Sequence, residues 1–83
     1  MGAREPSVPA TPRVLLVEDD SISQAYFQAV LESLPATVEL VATQQQALAH
    51  GTAMRHDLWL IDLTLPDGSG IELLRQLQAH WPE

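Results

Sequence analysis

The strongest constraint on the fold is the alternation of two hydrophobic patterns along the chain. Three short runs are apolar at most positions, as in strands buried on both faces of a sheet: Arg13–Val17, Thr37–Ala42 and Asp57–Asp62. After each run, apolar residues recur at steps of three and four, which is the period of a helix. The order β-α-β-α-β-α predicts an α/β fold, in which a parallel sheet carries helices on both faces.

Capping residues and breakers give the expected helix boundaries. The first helix is predicted to run from Ser21 to the breaker Pro35, and the second from its cap Thr43 to Gly51. The third is predicted to follow the turn "LPDGSG" and to end at Trp81-Pro82. The apolar stripes expected to face the sheet comprise Ser23, Tyr26, Phe27, Val30, Leu31 and Leu34 in the first helix and Ile71, Leu74, Leu77, Gln78 and Trp81 in the third.

The domain organisation and the charge narrow the class of protein. Residues 1–12 are rich in proline and lack a periodic pattern, so we predict a flexible tail there and one folded domain over residues 13–83. The 83 residues carry a net charge of −7 and contain no lysine. Because nucleic acids and anionic membranes attract basic surfaces, neither is an expected partner. We expect a cytoplasmic location, since neither a signal peptide nor a membrane span is recognisable.

Acidic residues follow two of the three predicted strands. Glu18, Asp19 and Asp20 come after the first strand, and Asp62 ends the third. Parallel strands end at a common edge, where ligands bind, and neighbouring strands lie about 4.8 Å apart. If these two strands are neighbours, Glu18, Asp19 and Asp62 converge, and Mg²⁺ would relieve their mutual repulsion. Asp20 is better explained as the cap of the first helix.

Two stretches of the sequence resemble a known family. "VLLVEDD" and "DLWLIDLTLPDGSGIELLRQL" are similar to the motifs of response regulator receiver domains from two-component signalling. The resemblance extends from about Arg13 to Glu83. It implies a flavodoxin-like parallel sheet and a phosphorelay role for a domain that is not itself an enzyme.

The resemblance also implies a role for each matching residue. Asp62 is expected to accept a phosphoryl group from a histidine kinase or phosphotransfer protein, with Mg²⁺ as cofactor. Asp19 and Asp62 are expected to bind the metal directly, Thr64 through its backbone carbonyl, and Glu18 through water. Further positions match the loop that shapes the site: Pro66, Asp67, Gly68 and Gly70.

The sequence also departs from the family. Complete receivers continue with two more strands, whose ends supply a Ser or Thr and a Lys that contact the phosphoryl group. This chain ends after the third predicted helix and has no lysine, so we expect these residues alone not to switch conformation as the family does. The third strand would then lie at the edge of the sheet, and its unpaired backbone groups predict self-association.

Two other functions are compatible with the same residues. A receiver-like interaction module would keep the acidic residues without being phosphorylated, and would not bind Mg²⁺. A phosphatase of the haloacid dehalogenase type also has an Asp after a hydrophobic strand, but it needs a second Asp where this chain has Thr64. The three histidines lack metal-ligand spacing and are predicted to be surface or capping residues: His50, His56 and His80.

Overall fold

The computed structural model describes residues 11–82, so the predicted tail lies almost entirely outside the described residues. The elements, in chain order, are β1 (Arg13–Val17), α1 (Ser21–Glu32), β2 (Thr37–Val41), α2 (Gln44–Ala53), β3 (Leu58–Ile61), β4 (Thr64–Leu65), β5 (Gly68–Ser69) and α3 (Gly70–His80). The predicted α/β fold is confirmed. Within the described residues, none of the helices has the length and apolar character needed to cross a bilayer.

The main sheet has the strand order β2-β1-β3, and both pairings are parallel. The central strand β1 is buried from Val14 to Val17, as its continuous apolar sequence predicts. Its side chains alternate between two clusters, because successive residues of a strand point to opposite faces. Leu15 and Val17 belong to the cluster beneath α2 and α3, whereas Val14 and Leu16 belong to the cluster beneath α1.

Two helices bury only part of their predicted stripes. Leu31 in α1 and Leu77 in α3 are buried as predicted. In α1, Leu31 is the buried residue, whereas Tyr26 and Val30 are exposed and Phe27 is only partly buried. In α3, Leu73 and Leu77 are fully buried and Ile71 is exposed. Adjacent apolar residues lie about 100° apart around a helix, so either one can face the sheet until packing decides.

Gly51 does not end α2, which continues to Ala53. The predicted ending treats glycine as a helix terminator, but here the glycine is buried where α2 approaches α3. A Cβ atom at this position would lie 2.6 Å from Cδ2 of Leu77 and 3.3 Å from Cδ2 of Leu15. The absence of a side chain therefore allows close packing.

A small hairpin follows β3, where the sequence predicts only a turn. Thr64 pairs with Ser69, and Leu65 pairs with Gly68, in antiparallel β4 and β5. Pro66 and Asp67 form the tip. None of the glycines in the described residues has a φ angle between +20° and +160°, so at this turn glycine supplies space and not an unusual backbone conformation.

A carboxylate and two histidines connect β2, α2 and the start of β3. His56 is buried, which the prediction of a surface or capping role missed. Its Nε2 lies 2.8 Å from Oε1 of Glu39, and His50 Nδ1 contacts the other oxygen of that carboxylate. These hydrogen bonds, that from His56 first, lower the pKa of Glu39, while burial opposes the change.

Glu39→Gln is expected to reduce the acid sensitivity of folding. The pKa of Glu39 is lowered in the folded protein, so its contribution is complete above its ordinary value of 4.5 and is lost as the pH falls through the lowered pKa. At neutral pH, the variant should lose about 1 kcal/mol of unfolding free energy, because a charged acceptor is replaced by a neutral one. Urea unfolding at neutral and acidic pH measures both effects. Equal acid sensitivity of the two proteins would contradict this account.

Candidate functional site

The register of the sheet brings the ends of β1 and β3 side by side. Val17 is paired with Ile61, and each is the last residue of its strand. The Asp62 backbone N–H donates to the Val17 carbonyl at 2.9 Å, and the Glu18 N–H donates to the Val41 carbonyl at 3.0 Å. Glu18 and Asp62 therefore leave neighbouring strands at the same edge of the sheet.

Three carboxylates meet at this edge. One carboxylate oxygen from each of Glu18, Asp19 and Asp62 lies within 4.8 Å of the other two. Glu18 is buried, Asp62 is partly buried and Asp19 is exposed. The cluster thus extends from the interior to the surface, and solvent or a ligand can reach it from the Asp19 side.

The pKa of Glu18 is raised by its position in this cluster. Burial raises the pKa of the Glu18 carboxyl, and the charges of Asp62 and Asp19 raise it further. The Asp20 backbone N–H donates to Glu18 Oε2 at 3.2 Å and partly offsets the rise. A divalent cation among the three oxygens would favour their charged forms.

Asp20 lies next to the cluster but caps α1, as the sequence predicts. Its Oδ2 accepts the backbone N–H of Ser23 at 2.8 Å. Hydrogen bonds from Ser23 lower the pKa of Asp20. In the same helix, Gln24 donates from Nε2 to the Glu18 carbonyl at 2.6 Å and so ties α1 to the end of β1.

The residues after Asp62 wrap closely around its backbone. The Thr64 N–H donates to Asp62 Oδ1 at 3.4 Å, and the Gly70 N–H donates to the Leu63 carbonyl at 2.8 Å. A Cβ atom at residue 70 would lie 2.0 Å from the Asp62 carbonyl oxygen. Glycine is therefore required at this position, which agrees with the expectation that Gly70 shapes the loop.

Asp67 makes a contact that the sequence did not predict. At the hairpin tip, its two carboxylate oxygens accept the backbone N–H groups of Gln44 and Gln45, at the start of α2. An acidic residue after a proline is ordinarily read as a turn former. The sequence contains no local signal of a partner 23 residues upstream.

The donor set fits a magnesium ion. Mg²⁺ prefers oxygen ligands, binds through one or two carboxylates, and keeps water or phosphate oxygens at its other positions. Asp19 and Asp62 supply accessible carboxylates, and Glu18 lies behind them. The described residues bring no basic side chain into an ion pair with these three acids, so a cation would relieve their repulsion.

Comparison with known proteins identifies the family. The family model of the response regulator receiver domain matches residues 14–83. The chain belongs to this family. Its β2-β1-β3 sheet and its cluster of acids are therefore part of a receiver, and the phosphatase alternative is set aside.

Relatives of this receiver occur within larger proteins. The chain is 36% identical over 69 residues to the aerobic respiration control sensor protein ArcB of Escherichia coli (strain K12), covering 83% of this chain and 9% of ArcB. It is 37% identical over 79 residues to the protein-glutamate methylesterase/protein-glutamine glutaminase of group 3 operon of Cereibacter sphaeroides, covering 92% of this chain and 21% of that protein. The chain thus spans only a small part of each.

A solved receiver structure shares the fold. The receiver domain of the sensor histidine kinase PA1611 from Pseudomonas aeruginosa PAO1 is 37% identical, with a TM-score of 0.79. The match covers 84% of this chain and 57% of that domain. That structure holds a magnesium ion coordinated in the active site cleft.

Proposed function

We propose that this receiver accepts a phosphoryl group on Asp62 from a phosphohistidine of a histidine kinase or phosphotransfer protein, with Mg²⁺ as cofactor. The observation that carries the proposal is the convergence of Glu18, Asp19 and Asp62 at the carboxyl edge of the sheet. Family membership and the magnesium-bound relative support it. In this role the 83 residues act as a phosphoacceptor and not as an enzyme.

The chemistry follows from the position of Asp62. Its carboxylate oxygen attacks phosphorus, an O–P bond forms, and the N–P bond of the phosphohistidine breaks with its electron pair remaining on the imidazole. When bound, Mg²⁺ supplies positive charge that stabilises the oxygens of the transferring group. Asp19, Asp62 and the Thr64 carbonyl would hold the ion directly, and Glu18 would hold it through water. The Thr64 N–H meanwhile orients the Asp62 carboxylate.

The surface around this edge suits a protein partner. A donor histidine must come into contact with Asp62, so the protein that carries it must cover neighbouring residues. Ile22, in the first turn of α1, is 79% exposed, and Leu63, next to Asp62, is 67% exposed. Tyr26 lies one turn after Ile22 and is 65% exposed. These apolar side chains provide surface that a docked kinase or phosphotransfer protein would bury.

A cytoplasmic location stays a prediction.

An interaction module that takes no phosphate is the alternative, and one experiment separates the two. Incubation with a small phosphodonor and Mg²⁺ should add one phosphoryl group to the wild-type chain, as measured by intact mass. An unchanged mass, with no binding at millimolar Mg²⁺, would favour the interaction module. A conformational switch is not expected from these 83 residues alone, because they provide no lysine to contact the phosphoryl group.

We also propose that the β3 edge mediates self-association. Among residues 11–82, β3 pairs with β1 alone, so the backbone groups of its other edge have no strand partner. Cavities of about 670 Å³ and 260 Å³ lie beside this strand, and Leu58 is 50% exposed. Because the described residues of every copy carry the same unpaired edge, two copies of these 83 residues can pair there. Sedimentation velocity should show a species heavier than the monomer at high concentration, and a monomer at all concentrations would exclude this interface.

A further inference from the structure

The start of α2 is held by a residue distant in sequence. Asp67 Oδ1 accepts the Gln44 N–H at 2.7 Å, and Oδ2 accepts the Gln45 N–H at 3.0 Å. Thr43, the cap of α2, accepts the Gln46 N–H at 3.1 Å. Helices ordinarily satisfy their first N–H groups with nearby side chains or water. Here the N–H groups of Gln44 and Gln45 donate to Asp67 instead. We call these two hydrogen bonds the Asp67 latch, because they connect α2 to the tip of the β4–β5 hairpin.

A second contact lies beside the latch. The side chain of Gln44 covers Gly68, because a Cβ atom there would lie 1.8 Å from Gln44 Oε1. The backbone and the side chain of Gln44 thus both contact the hairpin. Each hairpin strand has only two residues, and two-stranded hairpins are marginal by themselves. The position of this hairpin therefore depends on what holds its tip.

The hairpin leads directly to the site. Its first residue, Thr64, pairs with Ser69 and donates its N–H to Asp62 Oδ1. At the other end, the Gly70 N–H binds the Leu63 carbonyl. A shift of the hairpin would thus move Thr64 and Leu63 relative to the three carboxylates. The β4–β5 hairpin therefore has Asp67 at its tip and the proposed metal-binding residues at its other end.

We propose that Asp67 is a positioning residue of the metal and acceptor site, acting through the latch to hold Thr64 and the Asp62 carboxylate in the geometry that binds Mg²⁺. This inference rests on the proposed function. Groups that orient metal ligands without touching the metal commonly change its affinity by about 10–100-fold. The hydrogen bonds from Gln44 and Gln45 lower the pKa of Asp67, so its carboxylate is charged and the latch is complete at neutral pH.

Three variants separate the latch from the charge of Asp67. Asp67→Ala removes the latch together with one negative charge. Gln44→Pro removes one latch hydrogen bond without any change in charge, and proline suits this first position of a helix. The preceding residue, Thr43, already has the extended backbone that proline requires, with φ −131° and ψ 161°. Gln44→Ala is the matched control, because it removes the same side chain but keeps the backbone N–H.

The measurement is a Mg²⁺ titration of each full chain, followed by NMR of the backbone amides. Asp67→Ala should bind Mg²⁺ about tenfold more weakly than wild type. Gln44→Pro should weaken binding by a smaller factor. Gln44→Ala should bind more tightly than Gln44→Pro, because it keeps the latch hydrogen bond from the residue 44 N–H. By reciprocity, Mg²⁺ should also slow hydrogen exchange of the Gln44 and Gln45 amides in the wild-type chain.

Each other outcome has a distinct meaning. If wild type fails to bind Mg²⁺, the proposed function fails and the inference fails with it. If wild type binds, while Asp67→Ala and Gln44→Pro bind equally well and remain folded, the inference alone is overturned. Weaker binding by Asp67→Ala together with equal binding by Gln44→Pro and Gln44→Ala would also overturn it, since the backbone hydrogen bond of the latch would then contribute nothing.

Discussion

Asp62→Asn is expected to abolish phosphorylation of the chain. The neutral amide lacks the carboxylate oxygen that attacks phosphorus, and the change also removes one of the two carboxylates proposed to bind Mg²⁺ directly. Intact mass after incubation with a small phosphodonor and Mg²⁺ should show wild type gaining one phosphoryl group and the variant gaining none. No other acidic residue in the described part of the chain combines partial burial with both Glu18 and Asp19 as neighbours.

The fold should survive this change. Asn is nearly isosteric with Asp, and removing one of three clustered charges reduces their repulsion. Without Mg²⁺, the free energy of unfolding should therefore stay the same or rise slightly. Asp57→Asn is the matched control, because Asp57 lies at the amino ends of the strands, away from the site. There it accepts the Arg13 N–H at 2.7 Å. If Asp62→Asn were phosphorylated to the wild-type level, the phosphoacceptor would have to be a residue other than Asp62.

Gly70→Ala is expected to destabilise the fold more than the same substitution at the other described glycines, Gly51 and Gly68. The new Cβ atom would lie 2.0 Å from the Asp62 carbonyl oxygen and 3.0 Å from Cγ2 of Ile61. Asp62 cannot retreat easily, because its N–H is bound to the Val17 carbonyl in the sheet. Overpacking of this kind costs about 1–3 kcal/mol and occasionally more. We expect about 3 kcal/mol, a large part of the roughly 4–12 kcal/mol available to a domain of this size.

Gly68→Ala provides the comparison for stability. Its Cβ atom would meet Gln44 Oε1 at 1.8 Å, but that atom is the end of a flexible side chain that can turn away. The cost should therefore stay within about 0.5 kcal/mol, the usual range for surface substitutions. Urea unfolding of the two variants measures the difference between their free energies of unfolding. Equal stabilities would show that the approach of Gly70 to Asp62 does not constrain the loop.

Much of the fold is predictable because its signals are local. The apolar run of β1, the cap residues Asp20 and Thr43, and the stop before Pro35 each act within a few residues. The rotational position of a helix is different. Ile71 and Leu73 are both apolar, and only contact with the sheet decides that Leu73 is buried while Ile71 is exposed.

The candidate site is predictable only in part, for a related reason. Glu18 and Asp62 stand at the ends of apolar runs, so a parallel sheet necessarily brings them to one edge. The burial of His56 depends instead on Glu39, which is 17 residues away, and the role of Asp67 depends on Gln44, which is 23 residues away. Such pairs leave no periodic or local pattern in a single sequence.

The most direct test of phosphoacceptance is to locate the phosphoryl group in the wild-type chain. An acyl phosphate on an aspartate is reduced by borohydride to homoserine, which peptide mass spectrometry can assign to one residue. The account predicts homoserine at position 62 after treatment with a small phosphodonor and Mg²⁺, and none when a chelator replaces the metal. Homoserine at another position, or at 62 to the same extent with the chelator present, would contradict it.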